Sequence, residues 1–401
     1  MQRLNLQDSP FRRSSKRADV FVGSGSGPYE NAYNALSNID LSATRGKRVL
    51  LKPNAGRLAR IGDAVTTDPH VIAAAIDLFR AAGAEVAIGE SPIVGVNTLE
   101  AFETCGIAEM AHGRKCPLID MDERPGVNIE VPDGLALSKL KLCPDVLEFD
   151  LIVSIPVMKM HMHTGVTLSV KNMKGCLSRK SKVKLHMLPP VEGYDEKTIN
   201  LAISDMAGVL RPHLSIIDGT VGMQGLGPSA GETKKLGVVV VGADAFAADA
   251  VACRLMGVNV EDIPHLKISS ERGYGIIDFD KIRVSPENWE DWISVFDAPP
   301  KNLSINFPNV NIMDEKSCSA CQSTLLLLLK HHGDQIFDYF PEGTTIDIAI
   351  GKGHDELPRG TLCIGNCTAQ HRNKGIFVEG CPPVGSEILK SISDNPSNDS
   401  S

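Results

Sequence analysis

Short apolar runs alternate with stretches of helical periodicity along this chain. Val49-Leu50-Leu51 runs into Lys52-Pro53-Asn54, which reads as a strand leaving for a loop. Asp68 supplies an N-cap and Pro69 a first helical residue. Ile72, Ala75, Ile76 and Phe79 then recur at helical spacing, and Gly83 is placed to end that helix. Val86 to Gly89 reads as the next strand. Leu151-Ile-Val-Ser-Ile155, Leu214 to Ile217 and Val238 to Val241 have the length and β-branched content of buried strands. Ala245 to Met256 is rich in alanine and apolar on nearly every side, which predicts an interior helix.

Strands alternating with helices predict an α/β fold. The expected architecture is a large domain over 45–290, with a mostly parallel sheet and flanking helices. A smaller C-terminal α/β cysteine-rich module follows over 291–392. Asn288 to Ile293 and Ala298-Pro-Pro-Lys301 read as the connector. The module contains strands at Asn309 to Ile312 and Thr345 to Ile350, a helix after Cys318 and a last helix near Ser386 to Ser391. Residues 1–44 are expected to be an arm and lead-in, polar, basic and Gly/Ser-rich over 1–30, and 393–401 a disordered tail.

A net charge of −8 argues against a general nucleic-acid binder. The densest apolar run, Leu325 to Leu329, stops at Lys330 and is far too short to span a bilayer. Arg12-Arg13 is followed by polar residues rather than an apolar stretch, which predicts no export signal and a cytoplasmic protein. In that compartment thiols stay reduced, and clustered cysteines favour a metal over disulfides.

Five of the ten cysteines lie between 318 and 381: Cys318 and Cys321, Cys363 and Cys367, and Cys381 followed by Pro382-Pro383. Cys318 and Cys321 are three apart, on one face of a helix's first turn, where the helix dipole stabilises thiolates. Cys367 follows Gly365-Asn366, a turn that can aim amides at a sulfur. Cysteine before proline is common in bacterial cluster loops. Cys363 lies in the apolar run Thr361 to Ile364, like a strand residue. The preferred ligands of one 4Fe–4S cluster are therefore Cys318, Cys321, Cys367 and Cys381, with Cys363 in reserve; structural zinc stays open as the alternative. The scattered cysteines read as small apolar core residues, with Cys176 the one to watch.

The strand 151–155 exits into a dense polar segment: Lys159, His161, His163, Thr164, Thr167, Lys171, Asn172, Lys174, then Arg179, Lys180, Lys182, Lys184 and His186. Ligands of open α/β sheets bind at the carboxyl ends of strands, so a site is expected here. Its cations favour an anionic ligand, and a desolvated lysine can act as base or nucleophile. Asp218-Gly219 and the glycines up to Gly227 follow another strand without a nucleotide fingerprint. Asp249, an acid in an alanine-rich helix, is expected to be in a structural ion pair, with one of these lysines as a candidate partner.

Taken in order, Lys52-Pro53-Asn54, Thr66-Thr67-Asp68-Pro69, Lys159-x-His161, Thr167 to Gly175, Asp218-Gly219 with Gly225-x-Gly227-Pro228, and Asp244 with Asp249 resemble the proteins of domain of unknown function 362. The resemblance covers about residues 45–285. It implies an iron–sulfur module, because many members carry one, and the Cys-x-x-Cys, Gly-Asn-Cys and Gly-Cys-Pro-Pro pieces look like that module. The dense ferredoxin repeats of the commoner members are missing, so a two-cluster electron wire is not implied. The order of His161, Lys171 and His186 is similar to lactate racemase and its nickel-pincer relatives. There the Gly-Gly context of the tethering lysine contrasts with Ser169-Val170 here, and the cofactor is not carried over.

The resulting expectation is an iron–sulfur enzyme acting on a small anionic substrate. Its cleft is lined by Lys52, Asn54, His161, Lys171, Asn172 and Asp218, with Lys171, His161, Lys52 and Asn172 doing the chemistry. The cluster serves as electron relay or Lewis acid. A redox partner protein is a candidate partner; nucleic acid and membrane are not. The alternatives are a non-enzymatic electron carrier or redox sensor, and a zinc-stabilised or nickel-dependent racemase-like enzyme.

Overall fold

A computed structural model describes residues 9–12, 16–299, 307–383 and 385–395. Its strands are β1 Ala18–Ser24, β2 Arg48–Pro53, β3 Glu85–Glu90, β4 Leu118–Asp120, β5 Val127–Glu130, β6 Lys139–Leu142, β7 Leu151–Ile155, β8 Val157–His161, β9 Gly165–Thr167, β10 Leu214–Gln224, β11 Glu232–Gly242, β12 Ile282–Ser285, β13 Val310–Asp314, β14 Ile346–Ile350, β15 Leu362–Ile364 and β16 Phe377–Val378. The chain divides into two compact units, 1–225 with 231–298, and 226–230 with 299–401. Asn288 to Ile293 and Ala298, read as parts of the connector, belong to the first unit.

The first unit is built on one mostly parallel sheet in the order β12-β1-β11-β10-β7-β2-β3-β4, with β8 and β9 extending it beside β10. The pairs β10–β7, β7–β2, β2–β3 and β3–β4 are parallel; β11 runs antiparallel to both β1 and β10. The continuous apolar runs have a simple cause: both faces are covered. Val239 and Val241, Val49 and Leu51 point to one core with the helices Pro28–Leu36 and Pro69–Ala81. Val238 and Val240, Leu50 and Ile152 point to the other, with the helices Thr198–Val209 and Ala245–Leu255.

The expected arm does not hold for its described part beyond residue 17. Residues 18–24 form β1 inside the main sheet, and Val20 and Val22 are core. Gly23 makes this possible, because a Cβ there would collide with Asn31 O and Ala35 N of the helix lying on the strand. Residues 1–8 and 13–15 of the arm, and 396–401 of the expected tail, lie outside the described residues; the last helix, Gly385–Asp394, includes 393 and 394.

Asp205 pins a loop to this unit. Fully buried, it accepts the amides of Leu135, Ala136 and Leu137 and an ion pair from Arg272 at 2.7 Å. Asp205→Asn removes the charge from all four interactions and is expected to cost about 1.5–3 kcal/mol, read by urea denaturation.

The second unit is a four-stranded sheet, β13-β14-β15-β16, parallel throughout. The helices Ser319–Ile336 and Gly385–Asp394 contribute Leu325, Leu328, Leu329, Ile388 and Ile392 to a core with Ile346, Ile348, Ile350, Leu362 and Ile364. Between Leu362 and Ile364, Cys363 necessarily points the other way, into a small cluster with Ala349 and Leu357.

Candidate functional site

The site residues of the first unit gather at the carboxyl ends of β2, β3 and β7 and on β8. Lys52, at 1% exposure, is held by Glu90 Oε2 at 2.7 Å, Pro53 O at 2.5 Å and Asn172 Oδ1 at 3.2 Å. Glu90 also accepts the amides of Ala55 and Ser91. Asn172 returns two bonds, to Lys52 O at 3.0 Å and Ser154 Oγ at 3.1 Å. The Asn54 side-chain amide reaches Asn172 Oδ1 at 3.5 Å, and its own Oδ1 is 3.5 Å from Lys159 Nζ. A Cβ on Gly175 would push Glu90 Oε1 and Lys52 Nζ out of their buried pairing.

A second group lies on the β8–β9 hairpin, where Lys159 pairs with Thr167 and His161 with Gly165. Lys159 and His161 are two apart and share a face. Lys171 comes from the short helix Ser169–Asn172 and donates to Thr164 Oγ1 at 2.7 Å and Thr167 Oγ1 at 3.4 Å. Among the described residues neither Lys159 nor Lys171 has a carboxylate within ion-pair distance. Burial, then the charge of Arg57, pushes Lys159 down to about 7. Burial, then Lys174 and Lys159, pushes Lys171 well below the usual lysine range. His161 is held neutral by burial and by Lys171 next to it; its Nδ1 accepts the amides of His163 and Thr164, which leaves the proton on Nε2.

Asp218 accepts the amides of Asp68 and Thr220, and burial raises it to about 6. Asp249 differs from its expected ion pair. Its two oxygens accept the amides of Ser169 and Val170 at 2.7 and 3.0 Å, so it caps the helix that carries Lys171. Burial lifts it to about 8. The expected basic face is also tied down in part. Arg179 and Lys182 reach Asp122, Lys182 also bonds Ser91, and Lys174 meets His186 at 2.8 Å. Cys176 is fully buried, its thiol pushed up to about 12 by burial.

In the second unit Cys318 is the N-cap of the helix Ser319–Ile336 and Cys321 lies in its first turn. The Cys321 thiol is driven up first by its hydrogen bond with Cys318, then by burial, then by the charges of Cys318, Cys367 and Cys381. A Cβ on Gly365, at the start of the Cys367 loop, would stand 3.4 Å from Cys321 Sγ and 3.5 Å from Gly380 O. The four preferred sulfurs are therefore in electrostatic reach of one another. Cys363 stands apart: burial alone raises its thiol, which bonds His371 O at 3.7 Å. Among the described residues no three His, Cys, Asp or Glu side chains are already drawn together as a metal centre.

Residues 49–254 match the family model Domain of unknown function (DUF362). The chain belongs to the DUF362 family. All cleft residues of the first unit described above lie inside this DUF362 segment. The thylakoid-associated protein sll1697 of Synechocystis sp. is 29% identical over 232 residues, 57% of this chain and 68% of that protein. The lactate racemase apoprotein of Thermoanaerobacterium thermosaccharolyticum superposes on this DUF362 protein with a TM-score of 0.40 at 14% identity, over 84% of this chain and 70% of that one. Among the described residues, no helix is long and apolar enough to cross a membrane.

Glu90 is the functional-site residue that sequence reasoning missed. It ends β3, and the rule that directs attention to the carboxyl ends of strands points to it as directly as to Lys52.

Proposed function

We propose that this protein is an iron–sulfur enzyme that binds a small anionic substrate in the cleft of its DUF362 segment. The observation that carries the cleft reading is the charge balance. Lys52 is neutralised by Glu90, while among the described residues the buried Lys159 and Lys171 have no carboxylate partner. A carboxylate or phosphate entering there supplies the missing counter-charge. Lys159 would hold it, Asn54 and Asn172 fix its orientation, and Lys171 and His161 exchange protons with it.

The donor set of the second unit fits one 4Fe–4S cluster held by Cys318, Cys321, Cys367 and Cys381. The Cys318 charge raises the proton affinity of the Cys321, Cys367 and Cys381 thiols, and a sulfur set placed this closely favours a cationic centre in its midst. Such a cluster supplies one-electron transfer or, with an open iron, Lewis acidity. Reduced thiols fit a reducing compartment, for which we propose the cytoplasm.

Protein purified without oxygen is expected to contain iron and acid-labile sulfide in near-equal amounts, with a paramagnetic signal after dithionite. Cys321→Ala is expected to lose most of that iron, whereas Cys363→Ala keeps it. Zinc alone in the wild type would overturn the iron–sulfur reading in favour of a structural four-cysteine site.

A further inference from the structure

Among the described residues of the first unit, the four buried lysines have different surroundings. Lys52 has Glu90, and Lys182 has Ser91 with Asp122 at 3.9 Å. Lys159 donates to two carbonyl oxygens, of Val65 at 2.8 Å and of the Asn54 side chain at 3.5 Å. Among the described residues, Lys171 meets only the hydroxyls of Thr164 and Thr167. Thr164 passes its own proton to Val166 O at 3.1 Å, so its oxygen receives an N–H from Lys171. An ammonium has three protons to place and needs a counter-charge. A neutral amine has two, and two acceptors are present. The geometry therefore suits an uncharged amine with its lone pair available, at 7% exposure and at the carboxyl ends of the strands.

What surrounds this amine matches an electrophile of one kind. On the paired strand Lys159 lies opposite Thr167, whose hydroxyl touches Lys171. Lys159 and Lys171 thus both neighbour Thr167, one across the strand pair and the other through its hydroxyl. His161, on the same face of β8, has both ring roles assigned, with Nδ1 accepting from the backbone and Nε2–H free to donate to a carbonyl oxygen.

Resting on the reading of the cleft as an anion site, we propose that Lys171 Nζ is a nucleophile that forms an imine with the carbonyl carbon of a 2-oxo carboxylate anchored by Lys159. The nitrogen lone pair forms the C–N bond as the C=O π pair moves to oxygen. The oxygen gains a proton and the nitrogen loses one, giving a carbinolamine. The C–O bond then breaks, the hydroxyl leaves as water with one more proton, the remaining nitrogen lone pair forms the C=N bond, and the nitrogen gives up its second proton, which replaces the one carried off by water. The net change is ketone plus amine to imine plus water, with no oxidant or reductant.

The test uses the full-length protein with pyruvate as probe and cyanoborohydride to trap the imine at pH 7, followed by peptide mass mapping. An ordinary lysine is about 0.04% neutral at this pH, so modification of Lys171 is expected to run roughly a hundredfold faster than that of exposed Lys139. Lys171→Arg is expected to lose the adduct and keep its circular dichroism. Lys159→Met leaves the nucleophile in place but is expected to need about tenfold more pyruvate for the same labelling, the loss of one carboxylate ion pair. Labelling spread over surface lysines with none favoured at Lys171 overturns the inference. Oxalate, a dianion without a ketone, separates the two readings by its effect on thermal unfolding. Stabilisation by oxalate without an adduct overturns the imine and leaves the anion cleft standing; neither signal removes both.

Discussion

Glu90→Ala is expected to lower the unfolding free energy by about 3–5 kcal/mol, the range for breaking a buried ion pair from one side. Lys52 and Glu90 have side-chain exposures of 1% and 3% and meet at 2.7 Å. Among the described residues, alanine leaves the Lys52 ammonium inside the protein with only Pro53 O and Asn172 Oδ1 as acceptors, and it strips the Ala55 and Ser91 amides of their partner. The loss should exceed the charge term alone, since an orphaned buried amide adds about 1–3 kcal/mol. The double variant Lys52→Met with Glu90→Gln removes both charges and keeps one carbonyl acceptor for the two amides, so it should recover part of the stability. Denaturant melts of the three proteins decide the matter. If Glu90→Ala costs under about 1 kcal/mol, as an exposed pair would, then water reaches Lys52 and the cleft is wetter than its burial implies.

Much of this pair was legible in the sequence. Lys52-Pro53-Asn54 at the end of an apolar run marked one member. The other, Glu90, ends the strand beginning at Glu85, and its position at a strand's carboxyl end is its only signal, since a single acid after Gly89 has no motif around it. Runs such as Val238 to Val241 declared buried strands because both faces are covered. β1 was hidden because the Gly/Ser sequence that lets a helix pack onto it also reads as linker. Asp249 was recognised as a buried acid in need of a partner. That the partner is a pair of backbone amides, not a lysine, is beyond any residue pattern, because every residue carries an amide. The basic run shows the same limit. Arg179 and Lys182 are quenched by Asp122, an acid far away in sequence that only the β3–β4 connection brings near. Cys363, in contrast, follows from period-two alternation alone. Its neighbours Leu362 and Ile364 take the face that packs against the Cys321 helix, leaving it the other.

The second large effect is a pH dependence centred on Lys159. Its pKa is pushed down from 10.5 to about 7 in the folded protein by burial, then by Arg57, against the pull of Glu90 and with a further push from Lys52. Between those values the unfolded chain binds a proton that the folded one does not. Stability contributed by this group therefore rises with pH through the window, is fully present above 10.5, and is lost on acidification through 7. Other groups oppose it. The raised Asp249 loses stability as pH rises towards 8, and buried thiols such as Cys176 do so above 9. The difference between wild type and Lys159→Met cancels those contributions and isolates the lysine. Relative to the variant, the wild type should gain about 1.4 kcal/mol per pH unit between pH 7 and 10 and nothing below 7. An anion in the cleft should abolish that slope, because a counter-charge restores the lysine's proton. Calorimetric titration with oxalate at pH 8, in two buffers of different ionisation enthalpy, should show proton uptake on binding that Lys159→Met reduces by about one proton. A flat difference between the two proteins across pH 7–10 would mean that Lys159 is already charged and solvated. The cleft would then have no unmet demand for an anion.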